Sequence, residues 1–348
     1  MLSTVRQWPP AIRQYLVITG NYWAFTLTDG ALRMLVVLYF HQLGYEPLSI
    51  AMLFLFYEFF GVVTNLIGGW LGARLGLNKT MSIGLGLQVV ALLMLTVEQG
   101  SLTPFYVMLA QALSGIAKDL NKMSAKSAIK LLVPKDASGQ LFKWVAILTG
   151  SKNTLKGVGF FLGGLLLTVF GFQAALLLMA GALALVWVLS LVLLKQDLGK
   201  SKFKPKFKDL FSKSHNINVL SAARLCLFAS RDVWFVVALP VYLSREFGWD
   251  HWWVGGFMAS WVIAYGLAQT LGPKLLRIRT DHSALAGNEG YESKANLWAG
   301  LLSALPFLIL LGLLFTPWPL TTLLVGLIVY GLVFAVNSAL HSFLIVHY

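Results

Sequence analysis

Ten long apolar stretches dominate this sequence. A helix that crosses the ~30 Å hydrocarbon core of a bilayer needs about 20 mostly apolar residues. The ten stretches, called spans 1 to 10 here, meet that requirement: 14–40, 48–71, 81–97, 104–132, 142–170, 172–194, 219–243, 252–276, 297–315 and 320–346. Lipid offers no hydrogen-bond partners to a backbone, so such stretches cross it as helices. The sequence therefore predicts an all-α polytopic membrane protein.

The composition supports this class and argues against several others. Hydrophobic residues make up 57% of the 348 residues and charged residues only 12%, whereas soluble proteins carry about 25% charged residues. A soluble enzyme, a nucleic-acid-binding protein and a secreted disulfide scaffold are therefore poor descriptions. The single cysteine, Cys226, excludes an intrachain disulfide and a multi-cysteine metal site. We expect no cofactor, no metal and no nucleic-acid partner.

Basic residues are concentrated in alternate connections between the spans. Seven lysines lie in residues 195–216, and Arg6 and Arg13 precede span 1, whereas the intervening loops contain a single basic residue, Arg245. Because cytoplasmic loops carry the excess of lysine and arginine, both termini are predicted to be cytoplasmic. The basic connection 195–216 is interpreted as a topogenic loop on the inner leaflet rather than as an anionic-lipid or partner site.

The two halves of the chain contain related motifs. An offset of 204 residues aligns Gly44-Tyr45-Glu46 with Gly248-Trp249-Asp250 and Gly68 with Gly272. Parallel repeats joined by a basic loop are typical of the major facilitator architecture. We predict a six-helix bundle over 1–194, a linker over 195–216 and an incomplete four-helix bundle over 217–348. Ten of the usual twelve helices are present on this interpretation, and the C-terminal two are expected to be missing.

Ionisable residues fall inside several predicted spans, where each costs at least ~2.5 to 3.5 kcal/mol by insertion scales. Seven are cations: Arg33, Lys118, Lys122, Lys152, Lys156, Arg224 and Arg231. Four are acids: Asp29, Glu58, Asp119 and Asp232. Seven minus four leaves a formal charge of +3. An excess of buried cations in a transporter predicts an anionic substrate, with a purely structural ion network as the alternative.

The spacing of these residues defines the candidate binding site. Lys118 and Lys122 share one face of span 4, and Lys152 and Lys156 share one face of span 5, because residues four apart are neighbours on a helix. These cations, with Arg33, Arg224 and Arg231, are the predicted contacts to a phosphate-like anion. Two amide side chains, Asn21 and Asn153, complete the predicted substrate-binding set.

The acids have two interpretations, ion pairing or proton coupling. Asp29 and Arg33 are spaced i, i+4 and Asp119 lies among lysines, so structural pairing is the leading explanation for these two. Asp232 follows Arg231 directly. Glu58 has no cation near it in the sequence and is therefore the better candidate for a proton carrier.

Four stretches of the chain resemble the ArsJ family of organoarsenical exporters: ITGNYWAFTLTDGALRMLVVLYFHQLGY, ALSGIAKDLNKMSAKSAIKLLVP, FKWVAILTGSKNTLKGVGFFLGG and SAARLCLFASRDVWFVVALPVYL. The resemblance implies a bacterial inner-membrane transporter that exports 1-arseno-3-phosphoglycerate and gives arsenate resistance. It also implies a functional partner, a glyceraldehyde-3-phosphate dehydrogenase that makes this compound from arsenate. Transport of another organophosphate or organic anion is the alternative. An integral membrane enzyme is disfavoured because the six histidines show no catalytic spacing.

Overall fold

The computed structural model describes residues 10–133, 138–194, 214–232, 239–249, 251–272 and 289–347, and its regular elements in these ranges are all helical. Residues 195–213 of the predicted linker lie outside the described ranges. The α-helices are α1 (Pro10–Gln42), α2 (Pro47–Met52), α3 (Leu55–Leu75), α4 (Leu77–Met94), α5 (Pro104–Leu132), α6 (Ser138–Leu193), α7 (His215–Asp232), α8 (Leu239–Phe247), α9 (His251–Thr270), α10 (Glu289–Phe315) and α11 (Pro319–His347).

The helices follow the predicted spans closely. Helix α5 has the bounds predicted for span 4, and α11 covers span 10. Spans 5 and 6 form the single element α6, in which Gly171 has a non-helical conformation, φ +76° and ψ 176°. Glycine adopts a positive φ without the steric cost that a Cβ imposes. The all-helical architecture predicted from the sequence is confirmed.

Six helical segments among the described residues are long and apolar enough to cross a membrane. They are 12–42, 48–75, 77–94, 140–193, 293–315 and 319–345. Helix α5, with 29 residues, is absent from this set. It carries five charged residues between Lys118 and Lys130. Because charged side chains are costly in lipid, this helix depends on partners from neighbouring helices to cross the membrane.

The described residues fall into two compact units. The first unit contains 10–133 and 155–194, and the second contains 138–154 and 214–347. Helix α6 therefore contributes its first turns to the second unit and its remainder to the first. The domain boundary at the basic linker stays a prediction.

Glycines allow the helices of the first unit to approach closely. A Cβ on Gly115 of α5 would overlap the backbone carbonyl of Tyr57 in α3. A Cβ on Gly30 of α1 would lie 3.3 Å from the Cα of Gly159 and 2.7 Å from the carbonyl oxygen of Lys156, both in α6. Small residues at such crossings let backbones touch, which maximises van der Waals contact between membrane helices.

The second unit has the same kind of packing around a core that includes aromatic side chains. Gly150 of α6 and Gly266 of α9 meet backbone to backbone. The indole of Trp261 in α9 lies against Gly331 of α11, and its Nε1 donates a 2.9 Å hydrogen bond to the carbonyl oxygen of Leu327. The indole thus fills the groove that the glycine leaves and finds a partner for its polar group, as buried tryptophan requires.

Two turns support the predicted repeat. Gly44 and Gly248, which the 204-residue offset aligns, both have left-handed backbone conformations, with φ of +86° and +65°. The other aligned pair makes comparable contacts, since Gly68 faces Met123 of α5 and Gly272 faces Ala339 of α11. The two halves therefore share turn geometry and helix contacts as well as sequence motifs.

We expect Gly115→Ala to destabilise the first unit, because the added methyl group would push α5 away from the backbone of Tyr57. Overpacking of this kind costs typically about 1–3 kcal/mol. The measurement is thermal unfolding of the purified protein in detergent. Gly69→Ala in α3 is the matched control, since a Cβ there meets nothing within 4 Å. Equal unfolding temperatures for the two variants would contradict the proposed crossing.

Candidate functional site

Three helices of the first unit bring oppositely charged side chains into contact. Arg33 of α1 donates from Nη2 to Oε1 of Glu58 in α3, at 3.0 Å. Lys118 of α5 approaches the other oxygen of the same carboxylate, with Nζ 3.5 Å from Oε2. Glu58 is therefore shared by cations from two other helices.

The ion pairs continue along α5. The Nζ of Lys122 lies 2.9 Å from Oδ1 of Asp119, and the Nζ of Lys118 lies 3.9 Å from Oδ2 of the same carboxylate. A Cβ on Gly61 of α3 would lie 2.9 Å from that Oδ2. The missing side chain at Gly61 therefore makes room for the Asp119 carboxylate, which is only 5% exposed.

Tyr57 connects the remaining acid to this group. Its hydroxyl donates to the carboxylate of Asp29, 2.7 Å from Oδ1 and 3.0 Å from Oδ2. The guanidinium of Arg33 lies 4.6 Å from the centre of the Tyr57 ring, and the ammonium of Lys118 lies 4.1 Å from it. Cations over an aromatic ring are attracted by its quadrupole, and more strongly when desolvated. Tyr57 is buried, so it holds two cations and one carboxylate inside the unit.

We call this set the α1–α3–α5 network: Asp29, Arg33, Tyr57, Glu58, Lys118, Asp119 and Lys122. Its three cations and three carboxylates balance, so its formal charge is zero. The carboxylates differ in accessibility, since the Glu58 side chain is 58% exposed whereas Asp119 is 5% exposed and Asp29 is buried. Glu58 is therefore the acid that an incoming molecule can reach.

Two acids of this network, Asp29 and Glu58, have their closest partners on other helices. Asp29 accepts a hydrogen bond from the Tyr57 hydroxyl, and Arg33, one turn away on α1, forms its ion pair with Glu58 while also interacting electrostatically with Asp29. Glu58, which has no cation near it in the sequence, has two within salt-bridge distance, because they come from helices 25 and 60 residues away in the chain. Spacing within one helix reveals only the neighbours at i±3 and i±4, whereas these partners depend on tertiary packing.

Two other predicted site residues of the first unit are Lys156 and Asn21, and Lys156 interacts electrostatically with Glu58. The Nζ of Lys156 lies 5.9 Å from the ring centre of Phe160, one turn further along α6. Asn21 is buried, and its Nδ2 donates to Oγ of Ser190 at 2.7 Å and lies 3.7 Å from Sδ of Met81. This asparagine joins α1, α4 and α6, a contact that stabilises helix packing.

The second unit contains the remaining described members of the predicted set. Asn153 donates from Nδ2 to Oε1 of Gln269 at 2.6 Å, and Lys152, the preceding residue on α6, is half-buried. Arg224 donates from Nη1 to Oγ of Ser342 at 3.3 Å. The side chains of Arg231 and Asp232, at the end of α7, lie outside the described part of the structure.

The sequence analysis missed Tyr57 and Gln269 as members of the candidate sites. Tyr57 precedes Glu58, and a tyrosine hydroxyl buried in an apolar span needs a partner. Gln269 lies in the apolar span 8 and is fully buried, with Nε2 donating to Oγ of Ser338 at 3.0 Å. An amide side chain in a membrane span was the available signal for this residue.

Comparisons with known proteins agree with this architecture. The sequence profile of the Major Facilitator Superfamily matches residues 18–348. A search of curated proteins finds no match.

Three solved structures share the fold. The human organic anion transporter MFSD10 (TETRAN) superposes with a TM-score of 0.72 at 16% sequence identity, covering 98% of this chain and 87% of that one. A bacterial homologue of the iron transporter ferroportin, outward-facing and soaked with iron, gives 0.64 at 16% identity, covering 95% and 83%. A second structure of a bacterial homologue of ferroportin, also in the outward-facing state, gives a TM-score of 0.65 at 14% identity, covering 97% of this chain and 84% of that one.

These matches agree with the apolar helices and with the repeated turns at Gly44 and Gly248. The profile match extends over nearly the whole sequence and includes every ion pair of the α1–α3–α5 network. The protein is a multi-pass membrane transporter rather than an enzyme, and the chain belongs to the Major Facilitator Superfamily.

Proposed function

We propose that this transporter exports an anionic organoarsenical, 1-arseno-3-phosphoglycerate, and so gives a bacterium resistance to arsenate. The resemblance to the ArsJ family supplies the substrate and the direction of transport. The similar fold of an organic anion transporter, MFSD10, is compatible with an anionic substrate. On this proposal the protein lies in the bacterial inner membrane with its N-terminus in the cytoplasm, as the distribution of basic residues indicates.

The observation that carries the proposal is the sharing of Glu58 by Arg33 and Lys118, at 3.0 and 3.5 Å. A carboxylate that is exposed and held by two cations occupies a position that a substrate oxyanion can take. The incoming phosphate or arsenate group would displace Glu58 and accept hydrogen bonds from the same guanidinium and ammonium groups. Arginine suits this exchange because its planar fork donates two parallel hydrogen bonds to such a group.

Displacement of Glu58 also provides a means of coupling. Once it has lost its two cations, the Glu58 carboxylate loses the charges that favour its ionised form and takes up a proton more readily. Substrate binding and proton uptake at Glu58 would then accompany each other, so that the proton and the substrate cross the membrane together. Asp29 and Asp119 keep their own partners, Tyr57 and Lys122, throughout this exchange.

A doubly anionic substrate needs further positive charge. The α1–α3–α5 network is neutral, so the predicted excess of +3 belongs to other members of the set. Lys156, which lies in the same unit as the network, is the proposed contact to the second anionic group. Lys152, Arg224 and Arg231 stay predicted substrate contacts.

The alternative is transport of another organophosphate or organic anion. Lysine and arginine bind phosphate and arsenate groups through the same charge-assisted hydrogen bonds, so the network itself accommodates either substrate. The companion glyceraldehyde-3-phosphate dehydrogenase separates the two proposals, because only the organoarsenical depends on it.

We expect Lys118→Gln to lower arsenic uptake into everted vesicles by about tenfold or more. A hydrogen bond to a charged group contributes about 1.5–3 kcal/mol, and about 1.4 kcal/mol corresponds to a factor of ten. The vesicles would receive the dehydrogenase, glyceraldehyde 3-phosphate, NAD⁺ and arsenate. Lys130→Gln is the matched control, because Lys130 is exposed on the same helix. Equal uptake by both variants, with Lys118→Gln folded, would remove Lys118 from the site.

Glu58→Gln tests the exchange mechanism. Glutamine carries no charge to compete for Arg33 and Lys118, so 3-phosphoglycerate is expected to inhibit uptake at several-fold lower concentration than in the wild type. The acceleration of uptake by a proton gradient should disappear, because glutamine cannot take up a proton. Glu98→Gln, at an exposed position, is the control. A proton gradient that still accelerates Glu58→Gln would show that coupling resides elsewhere.

Expression in an arsenate-sensitive bacterium tests the identity of the substrate. The transporter together with the dehydrogenase is expected to raise the tolerated arsenate concentration, whereas neither protein alone should do so. The dependence follows from the need to make the organoarsenical before it is exported. Growth on an arsenate series is the measurement. Organophosphate transport without any gain in resistance would favour the alternative substrate.

A further inference from the structure

A strip of polar side chains lies buried on α11 in the second unit. Asn337 is 0% exposed and His341 is 6% exposed, and Ser338 and Ser342 beside them are also buried. Residues four apart lie on one face of a helix, so Asn337 and His341 stack along α11. The two serines continue the strip on the adjoining face.

The two serines are held by neighbouring helices. Ser338 accepts a hydrogen bond from Nε2 of Gln269 in α9, and the other end of that amide accepts one from Asn153 of α6. Ser342 accepts a 3.3 Å hydrogen bond from Arg224 of α7. Arg224 therefore brings a positive charge to the strip at the residue directly after His341.

Asn337 differs from the other buried amides. Neither its Nδ2 nor its Oδ1 has a hydrogen-bond partner among the described residues, and Nδ1 of His341 likewise has none there. Gln88 and Asn121 each have one satisfied amide atom: Oε1 of Gln88 accepts a hydrogen bond from Ser114, and Nδ2 of Asn121 donates to the carbonyl oxygen of Ala117, whereas Nε2 of Gln88 and Oδ1 of Asn121 have no partner among the described residues. Buried polar atoms are nearly always satisfied, so a donor and an acceptor on one buried side chain indicate a bound group.

We propose that Asn337 and His341, with Arg224 and Ser342 beside them, form a subsite for an α-hydroxy acyl group, a carbonyl with a hydroxyl on the adjacent carbon. Nδ2 of Asn337 donates to the carbonyl oxygen, and Oδ1 accepts from the hydroxyl. The imidazole of His341 adds a second polar contact, as donor or acceptor according to its tautomer. Arg224 favours the negative charge of an oxygen or oxyanion attached to the carbonyl carbon.

This inference rests on the proposed function, because it names residues that would recognise the hydroxyl-bearing carbon of the proposed substrate. It goes further in predicting selectivity for the hydroxyl itself. A site that forms hydrogen bonds with a hydroxyl discriminates against an analogue that lacks it, because its own polar groups are then left unpaired.

The test compares two probes on the purified full-length protein, 3-phosphoglycerate and 3-phosphopropanoate, which lacks the hydroxyl. We expect the wild type to bind 3-phosphoglycerate about fivefold to tenfold more tightly by calorimetry, the size of one net hydrogen bond. Asn337→Leu is expected to abolish this preference. Asn218→Leu, at an exposed position on α7 of the same unit, should retain it. His341→Leu provides a second variant, with the preference expected to fall.

Each other outcome has a defined meaning. If Asn337→Leu raises the unfolding temperature and leaves the probe preference intact, the amide is a structural or water-binding group and the subsite is overturned. Equal binding of both probes by the wild type overturns the subsite but leaves the proposed function standing. If the wild type binds neither probe, the organophosphate class of substrate fails and the subsite fails with it.

Discussion

The structure of the first unit depends on one constraint, that a charge placed among apolar helices must have a partner. Tyr57 is where this constraint and helix packing meet. Its backbone touches Gly115, its ring lies under Arg33 and Lys118, and its hydroxyl holds Asp29. Because Gly115 lets α5 approach at this point, Lys118, one turn later, reaches Glu58. The close crossing and the ion pairs therefore stabilise each other, and neither would persist without the other.

A neutral network has consequences for transport that a purely cationic pocket would not have. A pocket of unpaired lysines would be costly to bury and would release an anion slowly. In the α1–α3–α5 network the cations are already paired with Glu58, so an arriving oxyanion replaces one negative group by another. The difference in free energy between the two states is then small, which a transporter needs in order to bind its substrate and release it again.

The sequence predicted the bounds of the helices and the positions of the buried cations, but it did not predict which side chains meet across helices. Apolar length sets the bounds of a membrane helix, and for α5 the predicted and observed bounds agree. The cations Arg33, Lys118 and Lys122 were identified because charge in an apolar span is conspicuous. The partners of Arg33 and Lys118 on α3 were not, since Glu58 and Tyr57 belong to another helix and their distances depend on glycine crossings that leave no local charge pattern. Asp119, the partner of Lys122, lies three residues away on the same helix and could be identified from the sequence. Pairing across helices is a tertiary property, and periodicity within one helix does not encode it.

The two units use the same kind of helix crossing but carry different polar groups. In each unit a glycine receives its neighbour closely, Gly115 against Tyr57 in one and Gly331 against Trp261 in the other. The 204-residue offset does not align these two glycines, so each unit has its own crossing positions. The polar groups near the crossings differ as well: the first unit carries ion pairs, whereas the described side chains of the second include the neutral chain from Asn153 through Gln269 to Ser338. Small residues are needed wherever helix backbones touch, whereas polar positions away from the crossings tolerate change. One unit can therefore favour charge and the other hydrogen-bond selectivity while both keep close glycine crossings.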